Sequence, residues 1–191
     1  MIHRSWFLVL PLLLLNPLLA DDPAKGIDHP DPKGDYLFKR MSPEMDITNV
    51  TLTRQSNRRM RVTLTFAGDL PAKAASAPYR IWLRLELDDD ETTGQQEPGL
   101  KGLDMAIAIN GASFKEKWTS YEVPKSPAGK ESDVKVEDIK VRPHELSFLI
   151  TGKLLDQKAP AKLALTTCTE GAAVVDTFPD RGWLVIPAKL P

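Results

Sequence analysis

The chain has one cysteine, three histidines and no excess of either charge. A lone cysteine, Cys168, excludes an internal disulfide, so stability must come from a packed core. His3, His29 and His144 leave little material for histidine-based acid–base chemistry. Lys and Arg total 25 against 26 Asp and Glu, for a net charge of −1. That balance lacks the basic footprint of a nucleic-acid binder, and no nucleic-acid partner is expected. The His-Glu-x-x-His, Gly-x-Ser-x-Gly and phosphate-loop patterns are absent, as are internal repeats. Beyond residue 20, no stretch is long and apolar enough to cross a bilayer as a helix, so no transmembrane segment is expected in the mature chain.

The N-terminus reads as a secretory signal over residues 1–20. His3 and Arg4 form a positive start, Trp6 to Leu15 is a short apolar run, and Ala20 offers a cleavage site. A secreted or periplasmic location follows as an expectation. Residues 21–44 are polar and contain Pro23, Pro30, Pro32 and Pro43, which suits an extended N-terminal arm without core capacity. Residues 45–191 then read as one domain of short strands. Met60, Val62, Leu64 and Phe66 alternate with polar residues, as do Ile81, Leu83, Leu85 and Leu87, and Leu146, Phe148 and Ile150. Asn110-Gly111 is a hairpin cue. A change of register near Glu137-Asp138 suggests a bulge, and Gly152 to Asp156 suggests one helical turn. No sustained helical period occurs. The expected fold is all-β: a two-layer antiparallel β-sandwich, immunoglobulin-like or jelly-roll, of about eight or nine strands. A closed barrel is the alternative.

The densest chemistry lies between Glu86 and Asp104. A strand runs into Asp88-Asp89-Asp90-Glu91-Thr92-Thr93-Gly94, and Gly102-Leu103-Asp104 follows. So many carboxylates repel unless a cation neutralises them, and calcium takes six to eight oxygen ligands. Glu86, Asp88, Asp90, Thr93 and Asp104 are the candidate calcium ligands; a solvated acidic loop is the plainer reading. The spacing is not that of an EF-hand, since Thr93 and Gly99 stand where Gly and Glu are needed. Trp82, Trp118, Tyr121 and Trp183 are candidates for a sugar-stacking face, against the default that tryptophan fills a core. Met60 and Met105 sit on apolar strand faces, where core packing explains them better than haem ligation. Glu86 and Asp88, as close acidic neighbours in a loop, suit glycosidase chemistry poorly, because the two acids there need different environments. No catalytic residue is assigned.

Three groups of residues carry a family likeness: Asp31-Pro32-x-Gly34-Asp35 before Asp46-Ile47-Thr48-x-Val50; Glu86-x-Asp88 with Thr93-Gly94 and Gly102-x-Asp104; and Asp176-x-x-Pro179-Asp180-x-Gly182-Trp183. In that order they resemble secreted bacterial β-sandwich domains of the DOMON-like group, related to carbohydrate-binding modules of family nine. Members of the group bind sugars or haem. The resemblance implies a calcium role near Glu86 and Asp88, which stand where paired aspartates are usual. The expectation is an exported, non-catalytic binding module with carbohydrate, such as an envelope polysaccharide, as the favoured ligand. The alternative is a structural or accessory cell-envelope protein without a small-molecule ligand.

Overall fold

The computed structural model describes residues 26–35, 42–56, 58–73, 79–109, 118–122, 134–152, 161–169 and 173–186, with Tyr79, Tyr121 and Glu122 described by their backbone alone. In chain order the strands are β1 (Ile27–Pro30), β2 (Ile47–Ser56), β3 (Arg59–Phe66), β4 (Tyr79–Glu86), β5 (Gln95–Glu97), β6 (Leu100–Leu103), β7 (Met105–Ile109), β8 (Ser120–Glu122), β9 (Lys135–Arg142), β10 (Glu145–Thr151), β11 (Ala161–Thr169), β12 (Val174–Phe178) and β13 (Leu184–Ile186). A 3-10 turn, Pro43–Met45, precedes β2. Among the described residues no helix is long and apolar enough to cross a membrane.

Two antiparallel sheets pack face to face, as the alternation demands. One has the order β1-β2-β3-β10-β9. The other has the order β12-β11-β4-β7-β8, with β13 pairing β11 beyond the end of β12. Every second residue of β3 is buried, and Met60, Val62, Leu64 and Phe66 all enter the core. Ile81, Leu83 and Leu85 of β4, Ile107 and Ile109 of β7, and Leu146, Phe148 and Ile150 of β10 meet them there. Burying each such side chain is worth roughly 1.5–3 kcal/mol. Cys168 is a free, buried thiol whose pKa burial raises.

The first of these sheets ends on β9, where Lys135, Glu137, Asp138, Lys140 and Arg142 make a charged edge that discourages further pairing. The expected bulge is present: Ser147 pairs with Lys140 and Leu149 with Glu137, so Asp138 and Ile139 together face Phe148. Asp138 takes a left-handed φ of 48° there.

Three features differ from the sequence reading. More strands form than eight or nine, because β1, β5, β6 and β12 are too short or too polar to show an alternation. Within the expected arm, Ile27–Pro30 pairs with Asn49–Leu52 and makes the other edge of the sheet. The loop before Asp104 is a hairpin of β5 and β6 lying against β4. The signal segment 1–20, the Asn110-Gly111 cue and residues 153–156 lie outside the described residues.

Candidate metal centre and ligand groove

β4 presents two faces. Its leucines enter the core, while Trp82, Arg84 and Glu86 point to the outer face, where the β5–β6 hairpin lies. Gly102 allows that approach. It adopts φ 73°, and a Cβ there would stand 3.0 Å from Glu91 Cα and 3.2 Å from Glu86 Cγ. The hairpin thereby seals Glu86, which is 0% exposed, although its sequence neighbours Asp88, Asp89 and Asp90 are exposed. The picture of one uniformly solvated acidic loop is therefore wrong at Glu86.

Carboxylate oxygens of Glu86, Asp88 and Asp104 lie within 4.8 Å of one another. Glu86 Oε1 accepts the Asp88 N–H at 3.1 Å, and Asp104 Oδ2 accepts the Leu87 N–H at 2.6 Å. Asp104 is held above the usual carboxylate pKa, first by burial and then by the charges of Asp88 and Glu86. Lys162, on the neighbouring β11, lies 3.0 Å from Glu86 Oε2 and 2.8 Å from Asp89 Oδ1. Its ammonium thus faces the buried Glu86 carboxylate directly. The two carboxylates raise the Lys162 pKa and keep it charged.

Thr93 Oγ1 donates to Asp88 at 3.0 Å and so joins the cluster at its rim. Asp90 does not. Its Oδ1 accepts from Thr92 N at 2.9 Å and Thr92 Oγ1 at 2.6 Å, which lowers its pKa and closes a local turn. Glu86, Asp88 and Asp104 thus form an acidic group able to hold a metal ion, with the Lys162 ammonium already facing Glu86 Oε2.

The aromatic residues separate. Trp118 is a correction: it is 9% exposed, belongs to the core, and donates its Nε1–H to Pro71 O at 3.1 Å, so it has no ring face to offer. The backbone of Tyr121 lies in β8, and its side chain is outside the described residues. Trp82 is half-buried on the outer face, with the Arg84 guanidinium 5.9 Å from its ring centroid. Arg84 is fixed in turn by Glu97 and Thr166, each at 2.8 Å. Trp183 donates Nε1–H to Lys101 O at 3.1 Å and lines a groove of about 490 Å³ with Glu91, Gln96, Glu97 and Lys101.

A second acidic group escaped the sequence reading as a site. Asp31, Asp35 and Asp176 bring oxygens within 4.8 Å of one another. They lie in motifs that carried the family likeness, but their wide separation along the chain hid their convergence.

The molecule is thus an antiparallel β-sandwich with carboxylate clusters and a polar groove beside an indole. No family model matches the chain, and no curated protein matches it.

Proposed function

We propose that the protein is an exported, non-catalytic carbohydrate-binding module of the DOMON-like type, with calcium held by Glu86, Asp88 and Asp104. The observation that carries the reading is the groove at Trp183. An indole anchored through its N–H, flanked by Gln96, Glu97 and Lys101, combines an apolar platform with polar groups of both hydrogen-bonding senses, the pairing a sugar ring requires. The non-catalytic reading is supported by Glu86, which is sealed from solvent and cannot flank a glycosidic bond.

The test is a panel of soluble glycans and envelope polysaccharides screened by affinity electrophoresis and calorimetry. Retardation by at least one glycan is expected, with Trp183→Ala weakening it tenfold or more. Binding that ignores Trp183→Ala would move the ligand elsewhere, and no binding to any glycan would remove the reading. One observation favours an accessory envelope role instead: the Arg84–Glu97 pair and the β5–β6 hairpin occupy the sheet face around Trp82. On that reading calcium raises the melting temperature, but no glycan binds.

A further inference from the structure

Aspartates from three distant parts of the chain converge far from Glu86. Asp176 on β12 pairs with Thr167, and Thr167 with Ile81, whereas Glu86 pairs with Lys162. At about 3.3 Å per residue along β4, the two clusters are roughly 17 Å apart.

Asp31, Asp35 and Asp176 form the nucleus of this group. Asp180 lies close enough for its charge to raise the Asp35 pKa, after burial. Asp176 is 2% exposed and accepts the N–H groups of Ile47 and Thr177, each at 2.8 Å. Asp46 supplies an independent observation. It is 1% exposed, and its Oδ2 accepts the Gly34 N–H at 2.9 Å, while Oδ1 is buried without a partner. Gly34 sits between Asp31 and Asp35, so this bond holds the Asp46 carboxylate toward them. Asp31 Oδ2 is likewise buried and unpartnered. Among the described residues no Lys or Arg forms an ion pair with this group; exposed Lys33 tempers only the charge of Asp46. Burial and the neighbouring carboxylates push Asp31 up to about 7 and Asp176 up to about 6.

We propose that Asp31, Asp35 and Asp176, with Asp46 and Asp180 at the rim, bind one hard divalent cation of the calcium type at a site separate from Glu86. The donors are all oxygens, and Asp31 and Asp35 are borne on a loop, which suits the flexible coordination of calcium better than the strict octahedron of magnesium. Unpartnered buried oxygens are strongly disfavoured, and a cation satisfies them together. The ion fastens residues 31–35 to the start of β2 in one sheet and to β12 in the other.

The experiment titrates calcium into the chelator-treated full-length chain, read by calorimetry and native mass spectrometry. A binding event should persist in Asp88→Asn/Asp104→Asn and weaken at least tenfold in Asp31→Asn/Asp35→Asn. The latter pair leaves the backbone-accepting Asp46 and Asp176 intact. Calcium should also slow tryptic cleavage after Lys33 in the wild type and not in that variant. Unchanged affinity and unchanged cleavage in Asp31→Asn/Asp35→Asn would overturn the proposal. If that variant fails to fold by circular dichroism, Asp180→Asn replaces it. A several-fold loss of affinity then supports the site, and no loss overturns it. Loss of all bound calcium in folded Asp88→Asn/Asp104→Asn would place the cation only at Glu86 and also overturn the proposal. Calcium binding untouched by that variant removes the Glu86 site alone.

Discussion

The two acidic clusters differ in how their charge is met. At Glu86 the protein supplies its own answer: Lys162 bridges Glu86 and Asp89, backbone N–H groups cap Glu86 and Asp104, and Thr92 occupies Asp90. At Asp31 backbone donors reach Asp46 and Asp176, no described cation pairs with the group, and oxygens of Asp31 and Asp46 remain unpartnered. Density of carboxylates along the sequence is therefore a poor measure of the demand for a cation. The contiguous run is partly neutralised, and the dispersed set is not.

Removing the built-in counter-ion should give the largest effect. Lys162→Met leaves Glu86, fully buried, without its ionic partner. Breaking a buried pair from one side costs about 3–5 kcal/mol. Urea unfolding in chelator measures it, and a loss below about 1 kcal/mol would mean that Lys162 is not what neutralises Glu86. Added calcium should restore part of the loss if the ion occupies Glu86, Asp88 and Asp104. Asp31→Asn should leave that rescue intact.

Calcium itself comes next. A ligand specific to the native state adds roughly 2.7 kcal/mol at 100 times its Kd. Thermal unfolding should rise with millimolar calcium and fall back with chelator, and Asp31→Asn should blunt the rise. The effect should depend on pH in a defined sense. Asp31 and Asp176 have folded-state pKa values above the ordinary carboxylate range, so protonation favours the native state. Without metal, their contribution is fully present below the unfolded carboxylate pKa and is lost as pH rises through about 6 to 7. Chelated protein should gain stability from pH 8 to pH 5, while the increment due to calcium shrinks over the same window. Equal calcium increments at both pH values would separate the effect from this cluster.

Much of the fold was legible in the sequence, because alternation at Met60–Phe66, Ile81–Leu87 and Leu146–Ile150 reports directly which face is buried. The acidic segment at Glu86 was legible for the same local reason. Sealing of Glu86 was not, since it depends on the β5–β6 hairpin, whose residues carry no periodic signal. Trp118 illustrates the same gap: nothing beside it in sequence announces the Pro71 carbonyl that anchors it in the core. The Asp31 cluster was hardest to see. It requires pairing of β11 with both β12 and β4, and packing of one sheet on the other, to bring positions 31, 46 and 176 together.

The smallest effects should come from one glycine in each cluster, and their difference sharpens the contrast. Gly34 and Gly102 both hold left-handed φ values, 86° and 73°. Placing alanine in that region costs roughly 1–2 kcal/mol from backbone strain alone. At Gly34 an added Cβ meets nothing within 4 Å, so strain should be the whole cost. At Gly102 it stands 3.0 Å from the Glu91 Cα and 3.1 Å from the Asp90 carbonyl oxygen, both backbone atoms that cannot swing aside. Gly102→Ala should therefore be the more damaging of the two, and it should also loosen the lid over Glu86. Hydrogen exchange at the Leu87 amide, whose N–H is held by Asp104, reports that loosening. Faster exchange there in Gly102→Ala, and not in Gly34→Ala, is the expected result. Equal stability losses with unchanged exchange at Leu87 would show that the hairpin does not depend on Gly102 to close over the buried carboxylate.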